Sequence, residues 1–301
     1  MASEPRVTIG LPVYNGERYL REALDSILGQ AFEAFVLVIA DDASTDSTQA
    51  ICREYAERDP RVRHLRHPRN VGLAANFNFA LDQARTEYFK WMGYDDAIRP
   101  AFLQQCVEAL DARPDTVVCY SRAIAIDEHG APMEDFFRIT HPPVGRTPSA
   151  RFHQLTMQFA DDNGRACHIY QHGLIRTAAL RRTRRMPKYL YGDQNMMAEL
   201  LILGPSLELP EELMLLRHHR DSAATIDLAR ARRVFDPYGS HRLPWRLYLR
   251  RKYFEYVVSA LRAPVGAVEK AKLLWYACVL PARRWFVRRR YGVDERAHRA
   301  R

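Results

Sequence analysis

Residues 35–46 read FVLVIADDASTD, and residues 88–96 read YFKWMGYDD. In each stretch a short apolar run leads into two adjacent aspartates. Runs of this length and composition are typical of strands that are buried on both faces. The aspartates therefore lie at the carboxyl ends of two predicted strands. The two pairs are Asp41-Asp42 and Asp95-Asp96.

The first 127 residues alternate strand-like and helix-like patterns. Apolar runs at residues 7–14, 62–65 and 117–126 predict three more strands. The segments between the runs carry apolar residues three and four positions apart, as one face of a helix does. Strands that alternate with helices in this way predict right-handed βαβ units and a mostly parallel sheet. We therefore expect a Rossmann-like α/β fold in which helices flank the sheet.

The pattern changes after residue 127. Residues 127–148 read as a loop that contains Gly130 and four prolines. Beyond it the sequence predicts a helix near 152–159, a strand near 168–175, a helix over 194–203, an extended segment over 207–216 and, from about residue 226, a helical and strongly basic segment.

The bulk composition narrows the classes of function. The chain has 301 residues, 47% of them apolar, which is enough for a sizeable core. Lys and Arg number 45 against 36 Asp and Glu, and the net charge of +9 suits a nucleotide diphosphate, a nucleic acid or an anionic membrane. The five cysteines are scattered and form no CxxC pair, so we expect neither a zinc site nor a disulfide framework.

Targeting signals and common nucleotide motifs are missing from the sequence. Residues 1–10, MASEPRVTIG, do not resemble a signal peptide, and no run of about 18 apolar residues occurs. We therefore expect a cytoplasmic protein. The lack of GxGxxG and of GxxxxGK[ST] argues against a dehydrogenase and a P-loop kinase.

Polar side chains gather where the predicted strands end. Asn15, Asn70 and both aspartate pairs follow strands, and in an open parallel sheet ligands bind outside those ends. Two acidic pairs at one edge suit a divalent cation bound through oxygen ligands, or carboxylates that accept hydrogen bonds from a base or a ribose. Ordinary turn and helix-cap chemistry is the alternative for either pair.

Four segments carry a resemblance to a known family: VTIGLPVYNGERYLREALDSILGQ, VIADDASTDST, HPRNVGLAANFN and KWMGYDDAIRP. In their order, spacing and intervening helix patterns, residues 7–127 resemble the family 2 glycosyltransferases of the GT-A fold. The resemblance implies a GT-A catalytic domain over residues 1–225, with a nucleotide-sugar-binding half (1–127) and an acceptor and catalytic half (128–225). Residues 226–301 would form a basic helical extension.

The resemblance implies a donor site at the edge of the sheet. The loop after the first strand packs on the base, Asp42 reads the base edge, and the second aspartate pair binds the ribose and a divalent metal, Mn²⁺ or Mg²⁺, that bridges the diphosphate. The family pattern has an acidic residue two positions before that pair, where this chain has Gly93, so the separate roles of its two members stay open. The implied donor-binding residues are Pro12, Val13, Tyr14, Asn15, Asp42, Asn70, Asp95 and Arg217, and the implied metal ligands are Asp95, Asp96 and His219.

The resemblance also implies catalytic residues in the second half. The family's acidic pair at the start of a helix matches Gly192-Asp193, which leaves Asp193 as the candidate base. A carboxylate in the first turn of a helix is stabilised in its ionised form by the helix dipole. The segment LLRHHRDSAAT resembles the family's stretch after that helix and places Arg217 at the diphosphate and His219 on the metal, for which imidazole is a suitable ligand. A helix cap and ordinary surface histidines are the alternative interpretations.

The implied activity is an inverting, metal-assisted sugar transfer from a nucleotide-diphosphate sugar, by default a UDP-sugar. The acceptor is a hydroxyl of a polysaccharide, an oligosaccharide or a lipid-linked glycan. Because Gly93 and Gly192 depart from the family pattern, a catalytically impaired glycosyltransferase-like binding protein is one alternative. A nucleotidyltransferase is another, although such enzymes usually have a basic glycine-rich loop near their start.

The basic C-terminal segment has two interpretations. Residues 283–290 read RRWFVRRR, and Arg242, Arg246, Arg250 and Arg251 add to the charge. Cations interleaved with aromatic residues suit an amphipathic helix at an anionic inner membrane face, where a peripheral enzyme would meet a lipid-linked acceptor. A solvated basic helix that packs its aromatic residues on the catalytic domain fits equally well. We expect no nucleic-acid partner, because no recognisable binding module is present.

Overall fold

The computed structural model describes residues 4–133, 145–161, 169–189, 191–220 and 245–291, with residues 160–161, 245–250 and 281–291 as helical backbone only. The strands are β1 (Val7–Val13), β2 (Phe35–Asp41), β3 (Val62–Arg66), β4 (Tyr88–Trp91), β5 (Ala97–Ile98), β6 (Val118–Ile126), β7 (Leu174–Arg176) and β8 (Ser206–Arg217). The helices are α1 (Leu20–Leu28), α2 (Thr48–Arg58), α3 (Leu73–Asp82), α4 (Phe102–Asp111), α5 (Pro148–Asp161), α6 (Thr177–Arg181), α7 (Gly192–Leu203), α8 (Trp245–Arg262) and α9 (Ala267–Tyr291).

The strands form one sheet in the order β3-β2-β1-β4-β7-β6-β8-β5. Its first four strands are parallel: Val7 of β1 pairs with Phe35 of β2 and with Tyr88 of β4, and β3 pairs parallel with β2. All residues of β1 and β4 are buried, as expected for strands with helices on both faces. The predicted α/β fold with a mostly parallel sheet is confirmed. Parallel pairing in register aligns the carboxyl ends of these strands along one edge.

The strand expected near residues 168–175 is shorter than predicted. Residues 169–171 are helical, the strand covers only Leu174–Arg176, and His168 lies outside the described residues. β7 runs antiparallel to both β4 and β6. A Cβ on Gly173 would lie 2.7 Å from the carbonyl oxygen of Cys119, so the chain enters β7 in backbone contact with β6, where no side chain fits. The apolar run alone could not reveal this contact.

Strand β5 has only two residues, and the sequence analysis did not predict it. Ala97 pairs antiparallel with Leu215 of β8, while β8 itself runs parallel to β6. The pairing brings the residues that precede β5 next to the end of β8. It therefore places the second aspartate pair beside Arg217.

The C-terminal helices α8 and α9 pack on the second half of the fold. Tyr256, Leu273 and Ala277 are buried and belong to the same apolar cluster as the sheet, and the Tyr256 ring meets Phe152 of α5 edge-on, with centroids 5.8 Å apart. The proposed boundary at residue 225 and Arg242 lie outside the described residues, as do the side chains of residues 283–290. In the part of the chain that the structure describes, no helix is long and apolar enough to span a bilayer.

A cluster of charged groups fastens α8 to α7. The Arg184 guanidinium donates to Glu199 Oε1 of α7 at 2.5 Å, to the Glu255 carboxylate of α8, and to Ser259 Oγ of α8 at 2.7 Å. Ser259 Oγ in turn donates to Glu199 Oε1 at 2.9 Å. One cation is thus shared by carboxylates from two helices, and without it those carboxylates would repel each other.

Replacing Arg184 with Met should lower the free energy of unfolding by roughly 2–3 kcal/mol, because it leaves two partly buried carboxylates without their cation. Urea denaturation of the full chain would measure the loss. Arg185→Met is the matched control, since Arg185 pairs with Asp82 at the surface, where their side chains are 39% and 51% exposed. Such exposed pairs contribute about 1 kcal/mol or less. Equal losses in the two variants would contradict the role given to Arg184.

Candidate functional site

The structure separates the four residues that were predicted to pack on a nucleotide base. Pro12 and Val13 are buried within β1, whereas Tyr14 and Asn15 lie beyond its end. The Tyr14 ring is 45% exposed, and it is the one large hydrophobic side chain of the described sheet edge that remains open to solvent. Of the four, Tyr14 therefore offers a ring face that a ligand could reach.

Asn15 fixes the loop after β1 to the loop after β2. Its φ of 52° lies in the left-handed region, which asparagine tolerates better than most residues with a side chain. Asn15 Oδ1 accepts a hydrogen bond from the Thr45 N–H at 2.8 Å, and the Asn15 N–H donates to Ser44 Oγ at 3.0 Å. The two loops therefore form one surface at the sheet edge.

Asp41 belongs to the framework of that edge. It is fully buried, and its carboxylate accepts the Ser44 N–H at 2.9 Å and pairs with Arg66 of β3. Burial by itself would raise the pKa of Asp41, but the His64 imidazole 3.6 Å away and the hydrogen bonds from Ser44 and Arg66 outweigh burial and hold that pKa well below its usual range. The ionised carboxylate thus joins β2 to β3.

Asp42 holds the loop after β3. Its two carboxylate oxygens accept the backbone N–H groups of Val71 and Gly72 at 2.6 and 3.0 Å, and burial raises its pKa. Asn70 Oδ1 accepts the same Gly72 N–H at 3.0 Å. The structure therefore brings together Asp42 and Asn70, which were both predicted to bind the donor.

Gly16 allows the β1 loop to approach the second aspartate pair. A Cβ at this position would lie 2.7 Å from Tyr94 Cδ2 and 2.7 Å from Val13 Cγ2, so only glycine permits the contact. Tyr94 directly precedes Asp95. The loop that carries Tyr14 and Asn15 consequently packs against the chain that carries the second pair.

Asp95 and Asp96 contact the end of β8. Asp95 Oδ2 lies 2.9 Å from His219 Nε2, and Asp96 Oδ1 accepts the Arg217 N–H at 3.0 Å. Asp96 is buried, and burial together with the neighbouring Asp95 charge raises its pKa well above the usual range. All four residues that were predicted at the diphosphate and the metal therefore lie together.

The Arg217 side chain is buried, and each of its three guanidinium nitrogens has a hydrogen-bond or ion-pair partner. Its Nε donates to the Asp95 carbonyl at 2.9 Å, Nη1 donates to the Asp127 carbonyl at 3.1 Å, and Nη2 pairs with Glu22 of α1 at 2.5 Å. The guanidinium also lies 4.8 Å from the centre of the Tyr19 ring, within cation–π range. A diphosphate at this position would compete with Glu22, whose side chain is 54% exposed.

Packing explains why residue 93 is glycine. A Cβ at Gly93 would lie 2.5 Å from Asp96 Oδ2 and 2.9 Å from Asp95 Oδ1, both closer than van der Waals contact. An acidic side chain there would also add a third carboxylate to two that already face each other. The departure from the family pattern thus follows from the way the pair folds back over residue 93.

The donor atoms around Asp95 fit a divalent metal. A carboxylate oxygen and an imidazole nitrogen face each other at 2.9 Å, and both are suitable ligands for Mn²⁺. At 2.9 Å the two groups contact each other directly as a hydrogen bond or ion pair, which a bound ion would have to replace. Within the described ranges, no group of three or more His, Cys, Asp or Glu side chains is arranged to hold a metal. The other ligands would have to come from a substrate or from water.

Asp193 lies in the first turn of α7, which begins at Gly192. Its side chain is only 8% exposed, yet it makes no hydrogen bond or ion pair with any other described residue, including those around Asp95. The Oε1 atom of the adjacent Gln194 is also buried without a hydrogen-bond partner in the described chain. A Cβ at Gly192 would lie 2.8 Å from the Pro187 carbonyl oxygen, which excludes the acidic residue of the family pattern. A buried acceptor without a donor is uncommon, so the Gln194 Oε1 atom marks this turn as a place for a ligand.

Lys90 was not predicted to be part of the site. It is fully buried on β4, donates to the His172 carbonyl, and its ammonium lies 4.4 Å from the centre of the Phe102 ring. Burial lowers its pKa to about 8. The one sequence signal was a lysine within an otherwise apolar strand.

Comparison with known proteins assigns the chain to a family. The family model of glycosyl transferase family 2 matches residues 8–182, more than half of the chain. The chain belongs to glycosyl transferase family 2. The matched residues of this family 2 chain include both aspartate pairs and end before Asp193, Arg217 and His219. Those three residues therefore depend on the structure for their assignment.

The curated relatives are much longer than the stretch that matches. The uncharacterized protein Rv1520 of Mycobacterium tuberculosis is 43% identical over 126 residues, which are 41% of this family 2 chain and 36% of the relative. The likeness therefore spans about a third of that protein.

Two solved structures share the fold. Residues 1–349 of S. aureus TarS, solved with UDP-GlcNAc, are 19% identical with a TM-score of 0.62, and the match covers 89% of this chain and 70% of that TarS fragment. The mannosyltransferase PcManGT of Pyrobaculum calidifontis, solved with GDP-Man and Mn²⁺, is 19% identical with a TM-score of 0.55, covering 99% of this chain and 83% of PcManGT. Both likenesses confirm the predicted GT-A fold of this family 2 chain.

Gly93→Ala should lower the free energy of unfolding by roughly 1–3 kcal/mol, because its Cβ displaces the buried Asp96 carboxylate and the partly buried Asp95 carboxylate. Urea denaturation would measure the change. Gly266→Ala, in the connection between α8 and α9, is the matched control, since a Cβ there meets no atom within 4 Å. If the two variants were equally stable, the packing explanation for Gly93 would be wrong.

Lys90→Met should alter how stability depends on pH. The folded-state pKa of about 8 lies below the unfolded value of roughly 10.4, so between these values unfolding takes up a proton and stability rises with pH. The Met variant lacks this rise. Relative to the variant, the free energy of unfolding of the wild type should therefore increase by on the order of 2 kcal/mol between pH 7 and pH 10.

Urea denaturation across that pH range would measure the gain. Lys270→Met, at a partly exposed position of α9, should track the wild type. If the difference in free energy of unfolding between the wild type and the Lys90 variant stayed the same across this pH range, folding would not shift the pKa of Lys90.

Proposed function

We propose that this chain is a hexosyltransferase that moves a sugar from a nucleotide-diphosphate sugar to a hydroxyl of an acceptor glycan. The observation that carries the proposal is the meeting of Asp42, Asp95, His219 and Arg217 along one edge of the sheet in a family 2 chain. The fold shared with TarS and PcManGT, which were solved with nucleotide-sugars, supports it.

The nucleotide lies at the ends of β1 and β2 in this proposal. The Tyr14 ring is exposed there, and each Asp42 oxygen that accepts one backbone N–H keeps a second acceptor position for a base or ribose group. A UDP-sugar is the favoured donor, as TarS was solved with UDP-GlcNAc, and a GDP-sugar is the second candidate, as PcManGT was solved with GDP-Man.

A divalent ion, Mn²⁺ or Mg²⁺, would be held by Asp95 Oδ2 and His219 Nε2. When bound, it supplies positive charge that stabilises the leaving diphosphate. Asp96 has a different part: its Oδ1 holds the Arg217 N–H and so positions the end of β8. Arg217 reaches the diphosphate if its terminal nitrogen exchanges Glu22 for a phosphate oxygen.

Asp193 acts as the base. It accepts the proton of the acceptor hydroxyl while that oxygen attacks the anomeric carbon, and the bond to the diphosphate breaks on the opposite face, which inverts the configuration. Its place in the first turn of α7 favours the ionised form of the carboxylate. The unpaired Gln194 Oε1 beside it can accept a hydrogen bond from a second hydroxyl of the acceptor.

The acceptor is a polysaccharide, an oligosaccharide or a lipid-linked glycan, bound by the half of the catalytic domain that follows residue 127. The alternative of a catalytically impaired binding protein rested on Gly93 and Gly192. Both glycines are explained by close packing, so neither glycine is by itself a sign of lost activity. Membership of glycosyl transferase family 2 argues against the nucleotidyltransferase alternative.

Donor binding is tested by a thermal-shift screen of UDP-, GDP- and dTDP-sugars with and without Mn²⁺. The correct donor should raise the unfolding midpoint by mass action, and the rise should require the metal. Asp95→Ala and His219→Ala should abolish the metal-dependent part. Glu57→Gln, at an exposed carboxylate of α2, is the control and should keep the full shift. A shift that survives Asp95→Ala would refute the metal assignment.

Catalysis is tested with Asp193→Asn. Sugar transfer, or slow donor hydrolysis, should fall by at least about 100-fold, the usual contribution of a general base, while the donor-dependent thermal shift is preserved. Should the wild type and the variant prove equally inert with every donor in the presence of Mn²⁺, the chain would be a binding protein rather than an enzyme.

A further inference from the structure

Exposed apolar side chains are concentrated on the C-terminal helices. In the part of the chain that the structure describes, five large hydrophobic side chains are exposed, and four of them lie on α8 or α9. The fifth is Tyr14. The four are Phe254, Leu261, Val268 and Trp275, which are 65%, 55%, 71% and 67% exposed and are called here the apolar hairpin surface. Concentrations of this kind mark interaction surfaces.

The spacing of these residues places them at matching levels of two helices. Phe254 and Leu261 are seven residues apart on α8, and Val268 and Trp275 are seven residues apart on α9, so each pair lies on one face of its helix. A connection of four residues, 263–266, turns the chain back, and the helices pack as an antiparallel hairpin. Leu261 and Val268 are equally far from the middle of the connection, and so are Phe254 and Trp275.

The other face of the hairpin is already used by the fold. Tyr256 and Ala260 of α8, and Leu273 and Ala277 of α9, are buried in the common apolar cluster. The shared Arg184 fixes α8 to α7 on that side. The apolar hairpin surface therefore points away from the core.

The hairpin also carries the positive charge of the chain. Residues 245–291 contain twelve Lys and Arg and two Glu, a formal net charge of +10, whereas the whole chain has +9. The remainder of the sequence is therefore nearly neutral. Arg262 and Lys272 are exposed on the same two helices as the apolar hairpin surface.

We propose that the hairpin of α8 and α9 docks on an anionic lipid surface through Phe254, Leu261, Val268 and Trp275. Aromatic and aliphatic side chains enter the boundary between headgroups and acyl chains, while the surrounding cations attract the anionic headgroups. A second copy of the chain is a poor occupant, because two hairpins of net charge +10 repel each other. The four apolar residues lie outside residues 283–290, which supply five of the twelve cations of the hairpin. Docking does not depend on sugar transfer.

Co-sedimentation of the full chain with vesicles tests the proposal. The chain should bind vesicles that contain phosphatidylglycerol in addition to phosphatidylcholine, and should bind phosphatidylcholine vesicles weakly. The double variant Phe254→Ser/Trp275→Ser should lower the partition coefficient at least about tenfold, because two exposed aromatic side chains no longer enter the lipid. Tyr14→Ser, the matched control at the remaining exposed aromatic, should bind vesicles like the wild type.

Three results would overturn the proposal. The wild type could fail to bind anionic vesicles. Binding could survive the double variant and disappear only at high salt, which would indicate a polyanion held by charge alone. Light scattering could show a wild-type dimer that the double variant dissociates, without vesicle binding by either, which would make a second copy the partner. Both substituted side chains are exposed, so the double variant should keep the unfolding midpoint of the wild type. It should also keep the donor-dependent thermal shift, so that a failure of vesicle binding can be told apart from a failure of donor binding.

Discussion

The buried guanidinium of Arg217 joins the parts of the chain that form the site. A charge that is removed from water must find partners, and Arg217 finds the carbonyls of Asp95 and Asp127 and the carboxylate of Glu22. Its own N–H is held by Asp96. Segments that are far apart in sequence are therefore fixed relative to one another by one side chain, and His219, two residues further on, is carried to Asp95.

Strand pairing makes this contact possible. The parallel strands β1, β2 and β4 end along one edge, and the short antiparallel pairing of Ala97 with Leu215 draws the end of β8 to the same place. In an extended segment, alternate side chains point to the same side, so Arg217 and His219 face the aspartates together. The order of the strands thus gathers residues from both halves of the catalytic domain.

Local sequence patterns were sufficient for the first half of the fold and for the position of the aspartate pairs. Hydrophobic periodicity reports on a residue's own strand or helix, and here the strands were regular and well separated. Contacts between distant segments leave no such signal. The close approach of Gly173 to Cys119, the collision that excludes a side chain at Gly93, and the buried partner of Lys90 all depend on backbone that lies elsewhere in the chain. The sequence also did not show which face of α8 packs on the core and which is exposed. Apolar residues occur all around that helix, so its periodicity does not distinguish the two faces.

The two aspartates of the first pair have different partners because neighbouring side chains at the end of a strand point to opposite sides. Asp41, the last residue of β2, is held by Ser44 and Arg66, whereas Asp42 accepts the N–H groups of Val71 and Gly72 in the loop after β3. Asp95 and Asp96 lie beyond the end of β4, in the turn that leads to β5, so their partners are set by the end of β8 rather than by strand alternation. Asp96 is buried and accepts the Arg217 N–H, whereas Asp95 contacts His219 and stays partly exposed. Removing Asp96 should therefore disturb the position of β8, and removing Asp95 should disturb the contact with His219.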